Sequence, residues 1–224
     1  LGKIVKRLRE FIGIHYGQDI IVCGCGTSLL GFEEHHSDYI TIGVNDVPKL
    51  FEPTYLVVTD HQGRFKEQRR KDLVNNSKAK RLFTCAAGWR HKNIVHFDLG
   101  EKALKNLDSQ HKIDHFVNSP YVAACLAYKL GARNIGIIGV DFNTGHFYNP
   151  KDGKHPVLQM NYLKQVKAAY SLLHSQLKLR GVAMYDLSLN GQLDIPKITL
   201  EEFSKLQKNE DNNTWTKGFK RPTI

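Results

Sequence analysis

Two passages constrain the fold of this chain more than any other feature. Asp19 to Leu30 reads DIIVCGCGTSLL, a buried strand running into a glycine turn and a short helix start. Asn118 to Phe142 reads NSPYVAACLAYKLGARNIGIIGVDF, a capped helix, a tight turn and a second buried strand ending in an acid. Both place polar groups at the carboxyl ends of strands, where open α/β sheets bind ligands. Isoleucine and valine runs without polar alternation fit parallel strands covered on both faces. The expected fold is α/β and Rossmann-like, a mostly parallel sheet with helices on both faces.

The pattern continues along the chain. Residues 3 to 12 predict a short basic helix with Ile4, Leu8, Phe11 and Ile12 on its apolar side. Core strands are expected at 20–23, 39–44, 55–59, 135–140 and 182–187, with weaker ones at 81–85 and 94–97. The run from Arg64 to Lys71 fits an amphipathic helix. Residues 98 to 117 are polar and specify little. For the helix from Pro120 to Leu130, Ser119 is the expected cap and Gly131 the expected stop. Leu163, Val166, Tyr170, Leu173 and Leu177 recur at helical steps, and Gly181 closes that helix. One α/β domain is expected over 1–208, followed by a polar, basic tail over 209–224 containing Trp215 and Phe219.

Composition narrows the class. The 224 residues suit one domain, with 41% hydrophobic and 24% charged residues. No apolar run approaches the roughly 20 residues of a membrane span. No signal peptide is visible, although the sequence begins at Leu1. Cys23, Cys25, Cys85 and Cys125 lack a zinc-site spacing and read as buried, reduced thiols. The expected location is the cytoplasm of a bacterial or phage-infected cell. A net charge of +10 is concentrated at Lys3–Arg9, Arg64–Arg81, Lys151–Lys154 and Lys217–Arg221. Such clusters attract polyanions, or are simply solvated surface.

The candidate site collects at the strand ends. Gly24, Cys25, Gly26, Thr27 and Ser28 resemble half a dinucleotide fingerprint, with Leu29 where a third glycine would stand. The glycines permit a sharp turn and close backbone approach to a phosphate. Asn45 follows the second strand and could read a ribose or base edge; Asp46 reads as a turn residue. Asp60 and Asp141 each end a strand and could hold a ribose, a metal or a proton, or cap a turn. His155 is the leading general-base candidate, with His146 competing, because imidazole titrates near neutral pH. Tyr148 and Tyr162 could hold phosphate oxygens, and Lys151 and Lys154 could neutralise a leaving diphosphate.

These segments carry a resemblance. The Gly-x-Gly-x-Ser-Leu turn, Val44-Asn45, the Ser119-led helix and the closing Gly-Val-Asp-Phe resemble bacterial sialyltransferases of the lipooligosaccharide type. They are also similar to phage DNA-base glycosyltransferases and to hydroxymethylpterin pyrophosphokinase-like proteins. The resemblance spans most of residues 20 to 190 and implies a glycosyltransferase A-like fold and a nucleotide-sugar donor. It implies that Gly24, Cys25, Gly26, Ser28, Asn45 and Ser119 contact the donor, and that His155 is the base. Cys25 stands where those sialyltransferases carry Asn, and Thr27 where Pro is usual, so a UDP-sugar fits as well as a CMP-sugar.

The expected activity is sugar transfer from a nucleotide sugar to an acceptor hydroxyl. His155 or Asp141 would take the proton, while Asn45 and Asp60 hold the nucleoside. The positive charge points to hydroxymethylpyrimidine DNA as acceptor. The alternatives are a bacterial glycan, pyrophosphoryl transfer to a pterin-like alcohol, or a non-catalytic nucleotide- or nucleic-acid-binding module. No metal ligand is assigned, and a divalent metal is left open.

Overall fold

The computed structural model describes residues 6–102, 104–116, 118–142, 145–149 and 160–208, without the side chains of 160, 161, 207 and 208. In chain order the strands are β1 (Lys6–Arg7), β2 (Asp19–Cys23), β3 (Ile40–Val44), β4 (Tyr55–Val57), β5 (Arg81–Thr84), β6 (Ile94–His96), β7 (Asp98–Leu99), β8 (Lys112–Ile113), β9 (Asn134–Ile138) and β10 (Ala183–Asp186). The helices are α1 (Gln68–Asn75), α2 (Ser119–Leu130), α3 (Met160–Lys178) and α4 (Leu200–Lys208).

Eight strands form one sheet in the order β1-β6-β5-β4-β3-β2-β9-β10. Every pairing in it is parallel. The α/β, Rossmann-like expectation holds. β7 and β8 pair separately as a small parallel ribbon. From β2 the chain winds outwards through β3 to β6, then returns to the other side of β2 with β9. The order reverses between β2 and β9, which makes their carboxyl ends the topological switch point.

Burial explains the central strands. All five residues of β2 and all five of β9 are buried. α2 packs across β2, β3, β4 and β9, and ten of its twelve residues are buried. Its small residues Ala123, Ala124 and Ala127 let it lie close to the sheet. Gly131 ends it with φ +98°, and Gly181 (φ +75°) follows α3, as the sequence indicates. On α3, Val166, Tyr170, Leu173 and Leu177 are fully buried, and the Tyr170 ring meets Tyr121 of α2 edge-on.

Three local expectations change. Residues 3–12 do not form a helix where described: β1 is followed by a single 3-10 turn, Leu8–Phe11. One such turn already aligns the buried Leu8 and Phe11, three residues apart, so no longer helix is needed. The helix expected from Arg64 starts later, as α1, after a 3-10 turn at Gln62–Arg64. Ser119 does not cap α2. Asn118 does, its side-chain oxygen accepting from the Tyr121 amide at 2.8 Å.

Candidate active site at the carboxyl edge

At the switch point the two turns close on each other. Gly24 N–H donates to the Ile138 carbonyl at 2.8 Å, and Gly26 N–H donates to the Gly139 carbonyl at 2.7 Å. A Cβ on Gly24 would lie 2.2 Å from the Gly139 oxygen. One on Gly26 would lie 2.5 Å from an Asp141 carboxylate oxygen. The glycines are therefore demanded by the neighbouring strand end, with or without a ligand. Ser28 N–H is also taken, by Asp141 Oδ2 at 2.9 Å. For Gly24, Gly26 and Ser28 the expectation of amides facing a phosphate is corrected, because those three amides are spent on the neighbouring strand end.

Asp141 is 4% exposed and holds the turn together. Its carboxylate accepts from Thr27 Oγ1 at 3.3 Å, from Ser28 N–H and, through a short hydrogen bond, from Ser28 Oγ. Ser28 Oγ in turn accepts from Gly139 N–H at 2.9 Å and meets Ser188 Oγ at 2.7 Å. Gln192 pins the backbone behind: its amide donates to the Asp141 carbonyl and its Nε2 to the Phe142 carbonyl. Phe142 is held there at φ +55°, a costly conformation for a bulky residue. Cys25 is buried, with its thiol towards the Val44 carbonyl, and burial pushes that thiol up to about 12. At neutral pH it is a neutral packing group.

One step along the edge the arrangement differs. Asn45 leaves β3 at φ +47°, and its Nδ2 approaches Ser119 Oγ at 3.5 Å. Thr59, just beyond β4, places its hydroxyl 3.0 Å from the same Ser119 oxygen. Cys85, just beyond β5, gives its thiol to the Thr59 carbonyl at 3.4 Å. Three strand ends and the first turn of α2 thus meet at one corner. Of the six buried side-chain polar atoms without a hydrogen-bond partner among the described residues, two belong to Asn45 at the end of β3 and to Asn118 at the start of α2: Asn45 Oδ1 and Asn118 Nδ2. The Asn118 orientation is fixed by chemistry, because its oxygen receives both Tyr121 N–H and Tyr170 O–H. Its Nδ2 is then a donor without an acceptor. Buried polar atoms of this kind cost about 1–3 kcal/mol each unless something pairs with them. The N-terminal end of α2 adds a positive partial charge.

Beside this corner stands a charged cluster. Asp46 is 1% exposed, which makes it more than a turn residue. Arg70 forks onto both of its oxygens, Lys49 sits 3.4 Å away, and Tyr148 O–H donates to it at 3.4 Å. The Lys49 ammonium lies 3.9 Å from the Tyr148 ring centre, and His146 stacks on that ring. Burial, with the nearby Asp46 charge, raises the Tyr148 phenol well above its ordinary range. Residues 145–149 are tied to the glycine turn by Phe147 N–H donating to the Cys25 carbonyl at 2.8 Å.

The remaining candidates separate. Asp60 is half-exposed and paired with Arg64 at 3.0 Å; Thr59, its neighbour, is the residue that turns to Ser119. His155 lies outside the described residues, as do Lys151, Lys154 and the basic tail. Asn118 was missed as a site residue, although an asparagine two positions before Pro120 is a helix-start signal. Among the described residues, no three His, Cys, Asp or Glu side chains group as a metal site. Nor is any described helix long and apolar enough to cross a membrane.

Neither a protein-family model nor a curated protein matches this sequence. Solved structures do match in fold. The MAf glycosyltransferase from Magnetospirillum magneticum AMB-1 aligns with a TM-score of 0.54 at 9% identity, over 89% of this chain. The chain spans only 39% of that protein's length. The Campylobacter jejuni sialyltransferase CST-II, in complex with a trisaccharide acceptor and CMP, aligns with a TM-score of 0.51 at 17% identity. That alignment covers 80% of this chain and 86% of the sialyltransferase. At these identities the likeness is one of fold.

Proposed function

We propose that this chain is a glycosyltransferase that binds a nucleotide sugar at the corner of Asn45, Thr59, Asn118 and Ser119. The observation that carries the reading is the pair of buried, unpartnered amide atoms, one acceptor and one donor, at the N-terminal end of a helix. A nucleoside edge supplies the complementary donor and acceptor, and its phosphate is favoured by the helix end. The glycosyltransferase folds of the two neighbours support the same class of chemistry. The acceptor oxygen would attack the anomeric carbon as the bond to the nucleotide phosphate breaks, with the proton passing to a base. Asp141 is committed to the glycine turn, so His155 is the better base in this reading.

A saccharide acceptor is favoured over DNA. CST-II was solved with a trisaccharide acceptor. Of the basic run at 64–81, Arg70 turns inward to Asp46 and Arg64 pairs with Asp60, which removes two of the charges that suggested DNA.

The test is calorimetric titration of CMP, UDP and their sugar conjugates into the protein and into Asn118→Asp. Aspartate keeps the capping oxygen but has no amide donor. The substitution should leave the melting temperature near wild type while weakening nucleotide binding about tenfold or more. Undiminished nucleotide binding by that variant would overturn the assignment of the corner.

A further inference from the structure

A cavity lies along the same sheet edge, beyond the Asp46 cluster. It measures about 400 Å³ and is lined by Pro48, Lys49, Arg69, Leu73, Phe147 and Tyr148. Pro48 and Lys49 follow Asn45 within one turn, and Phe147 is tied to the glycine turn, so the cavity lies at the same sheet edge as the corner. Its charge is unbalanced. Lys49 and Arg70 share the single buried carboxylate of Asp46, while Arg69 is exposed on α1. The other carboxylate acting on Arg70 is Glu67, at the exposed start of α1. Of the six residues that line the cavity, Lys49 and Arg69 are cationic and none is acidic; Asp72 stands on α1 beside Leu73. The walls are rings and aliphatic groups, with Tyr148 37% exposed. Apolar walls with a few placed charges suit a small organic anion better than a bare ion.

We propose that this cavity seats the acceptor, and that the acceptor saccharide carries an anionic group, a carboxylate or a phosphate, held by Arg69 and Lys49. The acceptor role rests on the glycosyltransferase reading above; the anion preference rests on the cavity itself. Arg69 presents a planar fork that matches either oxyanion, and Lys49 adds a point charge already fixed over Tyr148. Pro48, Leu73 and the Phe147 ring then cover the apolar face of the sugar.

The test titrates three oligosaccharide probes of equal length, ending in glucuronic acid, in a 6-phosphorylated hexose, or in neutral galactose. Each is run against wild type, Arg69→Gln and Lys49→Gln, with CMP and UDP titrated in parallel. One or both acidic probes should bind about tenfold tighter than the neutral probe, and the stronger acid names the group. Arg69→Gln, an exposed substitution that leaves Arg70 on Asp46, should erase most of that preference without changing nucleotide affinity. Equal binding of all three probes, or an acid preference that survives both substitutions, overturns the proposal. Failure of CMP and UDP to bind while the acid preference holds would instead sink the nucleotide assignment and leave the anion site standing.

Discussion

Two corners of one sheet edge lie side by side and are built on opposite principles. At the switch point, the ends of β2 and β9 satisfy each other: Gly24 and Gly26 bond to 138–139, and Asp141 gathers Thr27 and Ser28. At the end of β3 and the start of α2, Asn45 Oδ1 and Asn118 Nδ2 are buried without a partner among the described residues. The first corner resembles a ligand-binding motif in sequence yet spends its polar groups on the fold. The second has an unremarkable sequence yet holds two unspent polar atoms. Satisfied polar networks rigidify, whereas unsatisfied ones wait for a partner. Substitutions should therefore divide by readout, with stability lost at the first corner and binding lost at the second.

The largest expected effect is at Gly24. A methyl group there would meet the backbone carbonyl of Gly139 at 2.2 Å, so Gly24→Ala should cost about 3 kcal/mol or more in urea unfolding. Gly26→Ala, whose nearest clash is with the Asp141 side chain, should cost less. The simple motif reading expects donor binding to fail while the fold survives, and normal stability in both variants would restore it. Next comes Asp141→Asn, which leaves Ser28 and Thr27 donors facing an amide; about 2 kcal/mol should be lost. If stability holds while turnover drops by about 10²–10⁴-fold, Asp141 is a base after all and the division between corners fails.

At the open corner the signs reverse. Asn45→Gly removes a strained φ of +47° together with a buried, unpaired oxygen, so stability should hold or rise slightly. Nucleotide affinity should fall by about 1–3 kcal/mol, read by calorimetry. A variant that is less stable but binds normally would make Asn45 a scaffold residue.

Much of the frame was legible, for physical reasons that differ from place to place. Ile20–Cys23 and Ile135–Ile138 announce themselves because strands buried on both faces tolerate little else. Gly131 and Gly181 mark helix ends because both sit at positive φ. Helix α4 also had a signal that went unread: Thr199 and Glu202 form a reciprocal capping box, ahead of the buried Phe203. The site was less legible. Gly-x-Gly specifies a tight backbone, and a neighbouring strand demands that as readily as a phosphate does. Asp46 is followed by a proline-containing turn, and its fork to Arg70 spans 24 residues that no local pattern connects. Asn118 was hidden behind Ser119, because either residue type caps a helix.

The smallest effect separates the corners by their cysteines. Cys25 belongs to the closed corner, buried against Val44, with its thiol pushed up to about 12. Cys85 is half-buried and bonds to the carbonyl of Thr59, the residue that reaches Ser119. Burial raises its thiol too, so both react slowly at neutral pH, but only Cys85 has an exposed path. Iodoacetamide at pH 8 should therefore label Cys85 first, followed by mass spectrometry, and Cys25 only when the protein opens. A nucleotide seated against Asn45, Thr59 and Ser119 should slow labelling of Cys85 and leave the Cys25 rate unchanged. The burial of Cys25 has a consequence in alkali as well. The unfolded chain gives up that proton near pH 9 and the folded chain only near 12, so stability is intact below about 9 and declines as pH rises through that interval. Nucleotide protection of Cys25 instead of Cys85 would exchange the roles of the two corners and return the donor to the glycine turn.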